Sequence, residues 1–202
     1  FFFFFFFFFF FFFFFFWGGG GGVVGGGFFF FGCCLFFKKY IMNEVMKDKN
    51  IIFIDKAISV ENTKTSFYYS IRCDGSSLNE TKISNGININ NKFDVECVNI
   101  VEFINNLNLN SNDKLWVKMD VEGEEYKLIP HLHNYNLLKR IDKLFIEWHH
   151  EKIKNIDISH HKYCKSLLTN IEEHYWDALS YSIKNINEDY KLFIKNNFKF
   201  NT

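Results

Sequence analysis

Short runs of apolar and β-branched residues alternate along the chain with segments in which apolar residues recur every three or four positions. The runs are too short for buried helices and predict strands. The predicted strands cover residues 51–58, 66–72, 93–97, 115–121 and 143–149. The helical spacing predicts helices over residues 39–49, 99–107, 124–135 and 161–175. Strands that alternate with helices indicate an α/β fold.

Three further features of the pattern are a predicted loop, a predicted terminal strand pair and a proline inside a predicted helix. Residues 73–92 have little pattern and are predicted to form a loop, and residues 178–183 with 190–194 are predicted to close the sheet as an antiparallel pair. The predicted helix 124–135 contains Pro130. A proline inside a helix costs about 3 kcal/mol or bends it, so we expect this helix to bend or to end early.

The fold is organised around Lys114-Leu-Trp-Val-Lys-Met-Asp-Val-Glu-Gly-Glu-Glu125, where an apolar run stops on acids and one glycine. A strand here delivers Asp120 and Glu122 to the edge of a sheet, and Gly123 gives the backbone freedom to turn. Glu124 and Glu125 suit the positive first turn of the following helix. In parallel sheets, ligands lie beyond the carboxyl ends of the strands, so this edge is the predicted site.

The first 37 residues contain only Phe, Trp, Gly, Val, Cys and Leu. All six have codons built from G and T alone, which indicates a translated low-complexity tract that is artefactual or disordered. Its phenylalanine run lies at the lower limit for a membrane span, it lacks the features of a signal peptide, and its glycines lack phosphate-loop spacing. With no initiator methionine either, we expect the chain to be a fragment whose domain covers residues 38–202.

Charge balance and cysteine content bear on the classes of partner and on the cellular compartment. Lys plus Arg and Asp plus Glu both number 23, which gives no indication of nucleic acid or an anionic membrane as a partner;. Outside the tract, Cys73, Cys97 and Cys164 are isolated and without CxxC spacing, as expected for reduced thiols of a cytoplasmic protein;. The oligomeric state cannot be inferred from these features.

Paired histidines raise the alternative of a metal site. The pairs are His131-x-His133, His149-His150 and His160-His161, the last close to Cys164. Adjacent histidines point in different directions, and no pair has the H-E-x-x-H spacing that places two imidazoles on one helix face. The sequence therefore predicts no metal ligand.

Two motifs carry a family resemblance. Lys118-Met-Asp-Val-Glu-Gly-Glu-Glu125, followed by Ile141-Asp-Lys-Leu-Phe-Ile-Glu-Trp-His149, resembles the paired signatures of FkbM-type methyltransferases. Upstream, Lys56-Ala-Ile-Ser59 and Gly75-Ser-Ser-Leu78 follow the same order as in that family. The resemblance covers roughly residues 51–150.

The resemblance implies a class I methyltransferase fold, Rossmann-like, with a mostly parallel sheet and a terminal antiparallel strand. It implies S-adenosylmethionine as cofactor, with Ala57, Ile58 and Asp120 as cofactor contacts, and a small-molecule or glycan hydroxyl as substrate. Glu122 and Ser77 are the expected substrate contacts. Turn formation is the alternative role for Ser77, and Ala57 and Ile58 are expected to be core residues that border the adenine.

Methyl transfer to a hydroxyl needs a base near the reacting oxygen. Asp120, Glu147 and His149 are the candidate catalytic residues. Glu147 and His149 lie two apart on a predicted strand and would share one face, and an imidazole of ordinary pKa, near 6.5, suits proton transfer. Helix capping is the alternative role for acids at strand ends.

The sequence departs from the family in its cofactor half. The Asp-x-Gly-Ala-Asn-x-Gly loop after the first strand and the Glu-Pro acid after the second are absent, and the low-complexity tract occupies their positions. A catalytically incomplete remnant or a binding module is therefore the alternative to an active enzyme, and a membrane-anchored protein is a third.

Overall fold

The computed structural model describes residues 11–17, 27–31, 51–70, 76–83, 87–169 and 171–175. The predicted helix 39–49 and the predicted terminal pair 178–183 with 190–194 lie outside these residues. The strands are β1 Phe11–Trp17, β2 Gly27–Phe31, β3 Ile51–Ile54, β4 Ala57–Ser59, β5 Lys64–Ser70, β6 Ile87–Asn99, β7 Lys114–Asp120, β8 Lys143–Ile146 and β9 Glu172–Tyr175. The helices are α1 Ile100–Asn106, α2 Glu125–Asn134 and α3 Ile158–Ser166.

The strands form a six-stranded sheet in the order β3-β2-β1-β7-β8-β9 and a three-stranded sheet in the order β4-β6-β5. In the larger sheet, β7, β8 and β9 run parallel, and so do β2 and β3. Strand β1 runs antiparallel to both of its neighbours. The α/β class is therefore confirmed, and the larger sheet is mixed, with three parallel and two antiparallel strand pairs.

Strands β1 and β2 come from the tract that composition separates from the domain. Phe11 pairs with Asp120 and Trp17 with Lys114, so the backbone of the phenylalanine run covers the whole length of β7. Phenylalanine fits a pleated sheet well, and β7 needs a hydrogen-bonding neighbour on that side. The sheet is thus extended by a segment whose composition gives no sign of belonging to it.

Several predicted boundaries are wrong for identifiable reasons. The predicted strand 51–58 breaks into β3 and β4, which join different sheets, because Lys56 N turns back to donate to Ile54 O at 2.8 Å. The predicted loop 73–92 overlaps the start of β6, whose residues from Ile87 onward pair with β5 despite their polar sequence. The predicted helix 161–175 ends early: α3 stops at Ser166, and the last predicted residues form β9, which pairs with β8.

The helices α1 and α2 agree with the prediction, and α2 does not end at its proline. The Asn99 side chain caps α1 by accepting from Val101 N at 2.8 Å. Pro130 cannot donate to the Tyr126 carbonyl four residues earlier, and the Cys164 thiol of α3 lies 4.0 Å from that oxygen. A neighbouring helix thus helps to compensate for the hydrogen bond that the proline removes.

One hydrophobic core fixes the position of the sheet edge. Its buried side chains come from β7, β8, α1 and α2, and include Leu115, Val117, Met119, Leu144, Ile146, Ile104, Leu128, Ile129 and Leu132. Burying such side chains contributes about 1.5–3 kcal/mol each, so the carboxyl ends of β7 and β8 are held firmly side by side. Among the described residues, no helix is long and apolar enough to cross a membrane.

Candidate functional site

The carboxyl ends of β7 and β8 meet at one edge of the sheet. Met119 pairs with Ile146, and Glu147 N donates to Met119 O at 3.0 Å. Strand β8 ends at Ile146, so Glu147 and His149 follow the strand instead of lying on it as predicted. The two parallel strands still bring the carboxylates of Asp120 and Glu147 to the same part of this edge. We call this part, which also contains Glu122 and His149, the rim.

After β7 the backbone makes a strained turn. Glu122 has φ 52° and Gly123 has φ 113°, both in the left-handed region that disfavours ordinary side chains;. The Ser77 hydroxyl donates to Glu122 O at 2.8 Å, and the Lys82 ammonium binds the Glu122 carboxylate. These contacts hold Glu122 in a conformation that it would rarely adopt alone.

We expect Gly123→Ala to destabilise the chain. The new methyl group would lie 2.7 Å from Ile153 Cδ1, and its backbone would keep an unfavourable φ. The expected loss is roughly 1 to 3 kcal/mol in the free energy of unfolding, measured by urea denaturation. Combining it with Ile153→Ala should give a loss smaller than the sum of the two single losses, because the contact with Ile153 is removed. Unchanged unfolding of Gly123→Ala would contradict this reading of the turn.

The His149 side chain is fully buried in the middle of this rim. Its Nε2 atom lies 3.3 Å from Glu147 Oε1, 3.4 Å from Glu122 Oε2 and 3.9 Å from Asp120 Oδ1. Within the described part of the chain, none of these oxygens is aligned for a hydrogen bond with Nε2. The imidazole therefore faces three carboxylates at once.

Glu125 holds the other side of the imidazole and was not predicted as a site residue. It is 0% exposed. Its Oε1 lies 2.8 Å from His149 N and 3.1 Å from His149 Nδ1, and its Oε2 accepts from Gly123 N at 2.7 Å. Its place in the Asp-Val-Glu-Gly-x-Glu motif was the available signal, but a glutamate in the first turn of a helix is equally expected without any such role.

Three lysines compensate the carboxylates. Lys118 Nζ binds Asp120 Oδ2 at 2.9 Å, Lys152 Nζ lies 3.5 Å from Glu147 Oε1, and Lys82 pairs with Glu122. Lys118 is two positions before Asp120 on β7, so the period of a strand could have identified it. Lys82 comes from a segment without any pattern, so local sequence does not place it here.

These charges change the protonation of the site. Burial alone would lower the pKa of His149, but the carboxylates of Glu125, Glu147 and Glu122 outweigh it and raise the pKa to about 10. Burial would raise the pKa of Asp120, yet Lys118 and His149 hold it below its ordinary value. At neutral pH the imidazole is therefore protonated and cannot accept a proton, which overturns the expectation of an imidazole with ordinary pKa.

The remaining predicted residues lie elsewhere or have other contacts. Ala57 packs with Phe67 and Cys97, and Ile58 is part of the main core. Both are buried, as expected for core residues. Ser77 is fully buried and donates to Glu122 O, so its hydroxyl positions the strained turn. The contact that links β4 to this region comes from Ser59, whose hydroxyl donates to Glu124 Oε1 at 2.6 Å.

Most of the other histidines named as possible metal ligands pack against aromatic or histidine rings, whereas His133 is exposed. His161 Nδ1 lies 3.0 Å from the Tyr126 hydroxyl, and the His161 ring stacks on His150 with centroids 4.1 Å apart. The His131 ring packs against the Tyr135 ring in a tilted arrangement, with centroids 4.9 Å apart. In the described ranges, the group whose geometry could hold a metal ion is Asp120, Glu122 and His149, which mixes one imidazole with two acids.

The rim can accept hydrogen bonds from a hydroxyl or hold a cation, because it presents several carboxylate oxygens around one point.

Residues 44–175, about two thirds of the chain, match a protein family described as the methyltransferase FkbM domain. The matched range contains both strand ends and every residue of the rim. No curated protein and no solved structure matches the chain.

Proposed function

Since this chain belongs to the FkbM methyltransferase domain family, we propose that it acts in the S-adenosylmethionine-dependent methylation of a hydroxyl on a sugar or small metabolite. The observation that carries the proposal is the meeting of Asp120, Glu122 and Glu147 at the carboxyl ends of two adjacent parallel strands. In open α/β sheets this edge is where ligands bind.

The proposed role of Asp120 is to accept the proton of the acceptor hydroxyl. Its lowered pKa keeps it ionised at neutral pH, and it is 9% exposed, so it lies at the border of the protein surface. The protonated imidazole of His149 beside it positions and compensates the acids. The hydroxyl oxygen would thus meet a carboxylate acceptor in a largely buried setting.

The described residues do not fit the methyl donor. The neighbour of β7 on the side away from β8 is β1, which is antiparallel, so its carboxyl end lies at the opposite edge from Asp120. The rim therefore accounts for the acceptor side of the proposed reaction only.

A methylation assay tests the proposal. The full chain is incubated with S-adenosylmethionine carrying a labelled methyl group and with a panel of sugars and small hydroxylated metabolites. We expect Asp120→Asn to lower the rate by about 100-fold to 10,000-fold, the range for loss of a general base. Glu151→Gln removes an exposed carboxylate from the turn after His149 and should leave the rate unchanged. Equal rates for Asp120→Asn and the unaltered chain would refute the role of Asp120.

A catalytically incomplete remnant or binding module is the second candidate, favoured by the poor fit of the donor side. Isothermal titration of the folded chain with S-adenosylmethionine separates the two. Micromolar binding supports the enzyme. A folded chain that binds no donor supports the remnant, whatever its acceptor rim can bind.

A further inference from the structure

A buried ring nitrogen that lies close to three carboxylates, but has no aligned hydrogen bond among the described residues, is at the centre of the rim. The His149 side chain is 0% exposed, and Nε2 forms no hydrogen bond with any residue that the structure describes. Buried polar atoms nearly always have a partner, and an exception points to an ion or another group that satisfies it. Ligand atoms of Asp120, Glu122 and His149 all lie within 4.8 Å of one another.

We propose that Asp120, Glu122 and His149 bind one divalent cation, through carboxylate oxygens and Nε2. Metal bonds to such atoms are about 2.0–2.2 Å long, so neighbouring ligand atoms around one ion lie roughly 3 to 4 Å apart. The distances from Nε2 to Glu122 Oε2 and Asp120 Oδ1, 3.4 and 3.9 Å, fall in that range. Glu147 Oε1, 3.3 Å from Nε2, is placed to be a further ligand.

The far side of the imidazole is arranged as it is for metal-binding histidines. These residues usually donate their second ring N–H to a carboxylate, which fixes the tautomer and directs the free nitrogen to the metal. Glu125 lies 3.1 Å from Nδ1 and also accepts from His149 N. The ring therefore has a fixed orientation, with Nε2 directed at Asp120 and Glu122.

The lysines approach the proposed ligands in two ways. Lys118 binds Asp120 Oδ2, whereas the oxygen nearest Nε2 is Oδ1. Lys82 and Lys152 contact the oxygens of Glu122 and Glu147 that face Nε2, so an ion at this point would share these oxygens with the two ammonium groups or displace them. The acids Asp120, Glu122, Glu125 and Glu147 outnumber the lysines Lys82, Lys118 and Lys152 that pair with them. Among the described residues, these acids exceed the lysines by one when the imidazole is neutral, and a cation beside Nε2 would compensate that difference. A proton on Nε2 is the competing cation.

The ligand types favour a transition metal. An imidazole suits Zn²⁺, Fe²⁺ and related ions, and carboxylates suit Mn²⁺ as well, whereas Ca²⁺ prefers oxygen ligands alone. The sequence predicted no metal because only paired histidines were considered as ligands. The proposal of a metal site rests on the geometry of its ligands and does not depend on the proposed function. The role of the site does rest on the proposed function: the ion would bind the acceptor hydroxyl and make its proton easier to remove. Asp120 would then act through the ion, and Glu147 would be the carboxylate that takes the proton.

Manganese binding tests the proposal without any methyl donor or activity. The full chain is titrated with Mn²⁺ and followed by electron paramagnetic resonance, in which bound Mn²⁺ loses the sharp signal of the aqueous ion. We expect one bound ion per chain, with ¹⁴N coupling from the imidazole. Asp120→Asn and His149→Gln should each weaken binding at least about tenfold, and Glu151→Gln should not change it.

The wild-type spectrum keeps the test decisive if a variant fails to fold, which circular dichroism reports. A folded wild-type chain that binds no Mn²⁺ at millimolar concentration would overturn the site and leave the proton as the cation. Bound Mn²⁺ without nitrogen coupling, or with equal affinity in folded His149→Gln, would likewise overturn it. Because no donor is present, these outcomes are separate from failure of the methylation assay.

Discussion

With EDTA present to remove metal ions, the free energy of unfolding falls as the pH rises from 6.5 to about 8.5, by about 1.4 kcal/mol per pH unit;. The carboxylates around His149 raise its folded pKa to about 10, above the ordinary value of 6.5. The folded state therefore keeps a proton that the unfolded chain loses in this interval. The stabilisation is complete below pH 6.5 and is lost as the pH approaches 10.

Urea denaturation at several pH values, compared with His149→Gln, measures this effect. Unfolded thiols, whose ordinary pKa is 9.0, also lose protons toward the upper end of this interval, whereas burial raises the pKa of Cys97 and Cys164. Both thiols are present in both chains, so their effect cancels in the comparison. The charged groups facing the imidazole are Asp120, Glu122, Glu125 and Glu147. Burial also lowers the pKa of Lys82, against the effect of Glu122, but Lys82 is present in both chains. Equal pH slopes in the two chains would show that His149 does not hold the proton.

Replacing Glu125 by alanine should lower the free energy of unfolding by about 3 to 5 kcal/mol, the usual cost of removing one partner of a buried ion pair. The carboxylate receives the backbone N–H groups of Gly123 and His149 and contacts Nδ1, all in the protein interior. Without it, these donors are buried and unpaired. A loss of this size is a large share of the stability of an ordinary domain.

Denaturation followed by tryptophan fluorescence measures this loss. Glu151→Ala, which removes an exposed acid from the turn next to His149, should change stability by less than about 0.5 kcal/mol;. Glu125→Gln keeps the side-chain volume and one acceptor oxygen. Its loss in the free energy of unfolding should therefore lie between those of Glu125→Ala and Glu151→Ala. A midpoint for Glu125→Ala equal to that of the control would mean that Glu125 does not anchor the turn and the imidazole.

The sequence predicted the edge of the sheet better than the order of its strands. An apolar run that stops on Asp120 and Glu122 determines where β7 ends, and a second run ends before Glu147, so local pattern was sufficient to place the acids. The predicted strand 51–58 failed because its two halves join different sheets. Which sheet a strand joins depends on partners far along the chain, and local pattern does not contain them.

The protonation of His149 shows the same limit. Its nearness to Glu147 was predicted from strand period, and the two side chains do meet although neither lies on β8. Its pKa depends on Glu122 and Glu125 as well, which the turn at Gly123 folds back toward the imidazole. A base expected from an isolated histidine is instead a protonated group among acids, or by our proposal a metal ligand.

By itself, the sequence determined the α/β class, the family and the acids at the end of the central strand, because each follows from neighbouring residues. Only the tertiary structure decided that Lys82 meets Glu122, that Glu125 orients His149, and that the phenylalanine run lies antiparallel beside β7. Most of these contacts join residues distant in sequence. Their energy depends on burial and on charges brought together by folding, and neither is set by local composition or spacing.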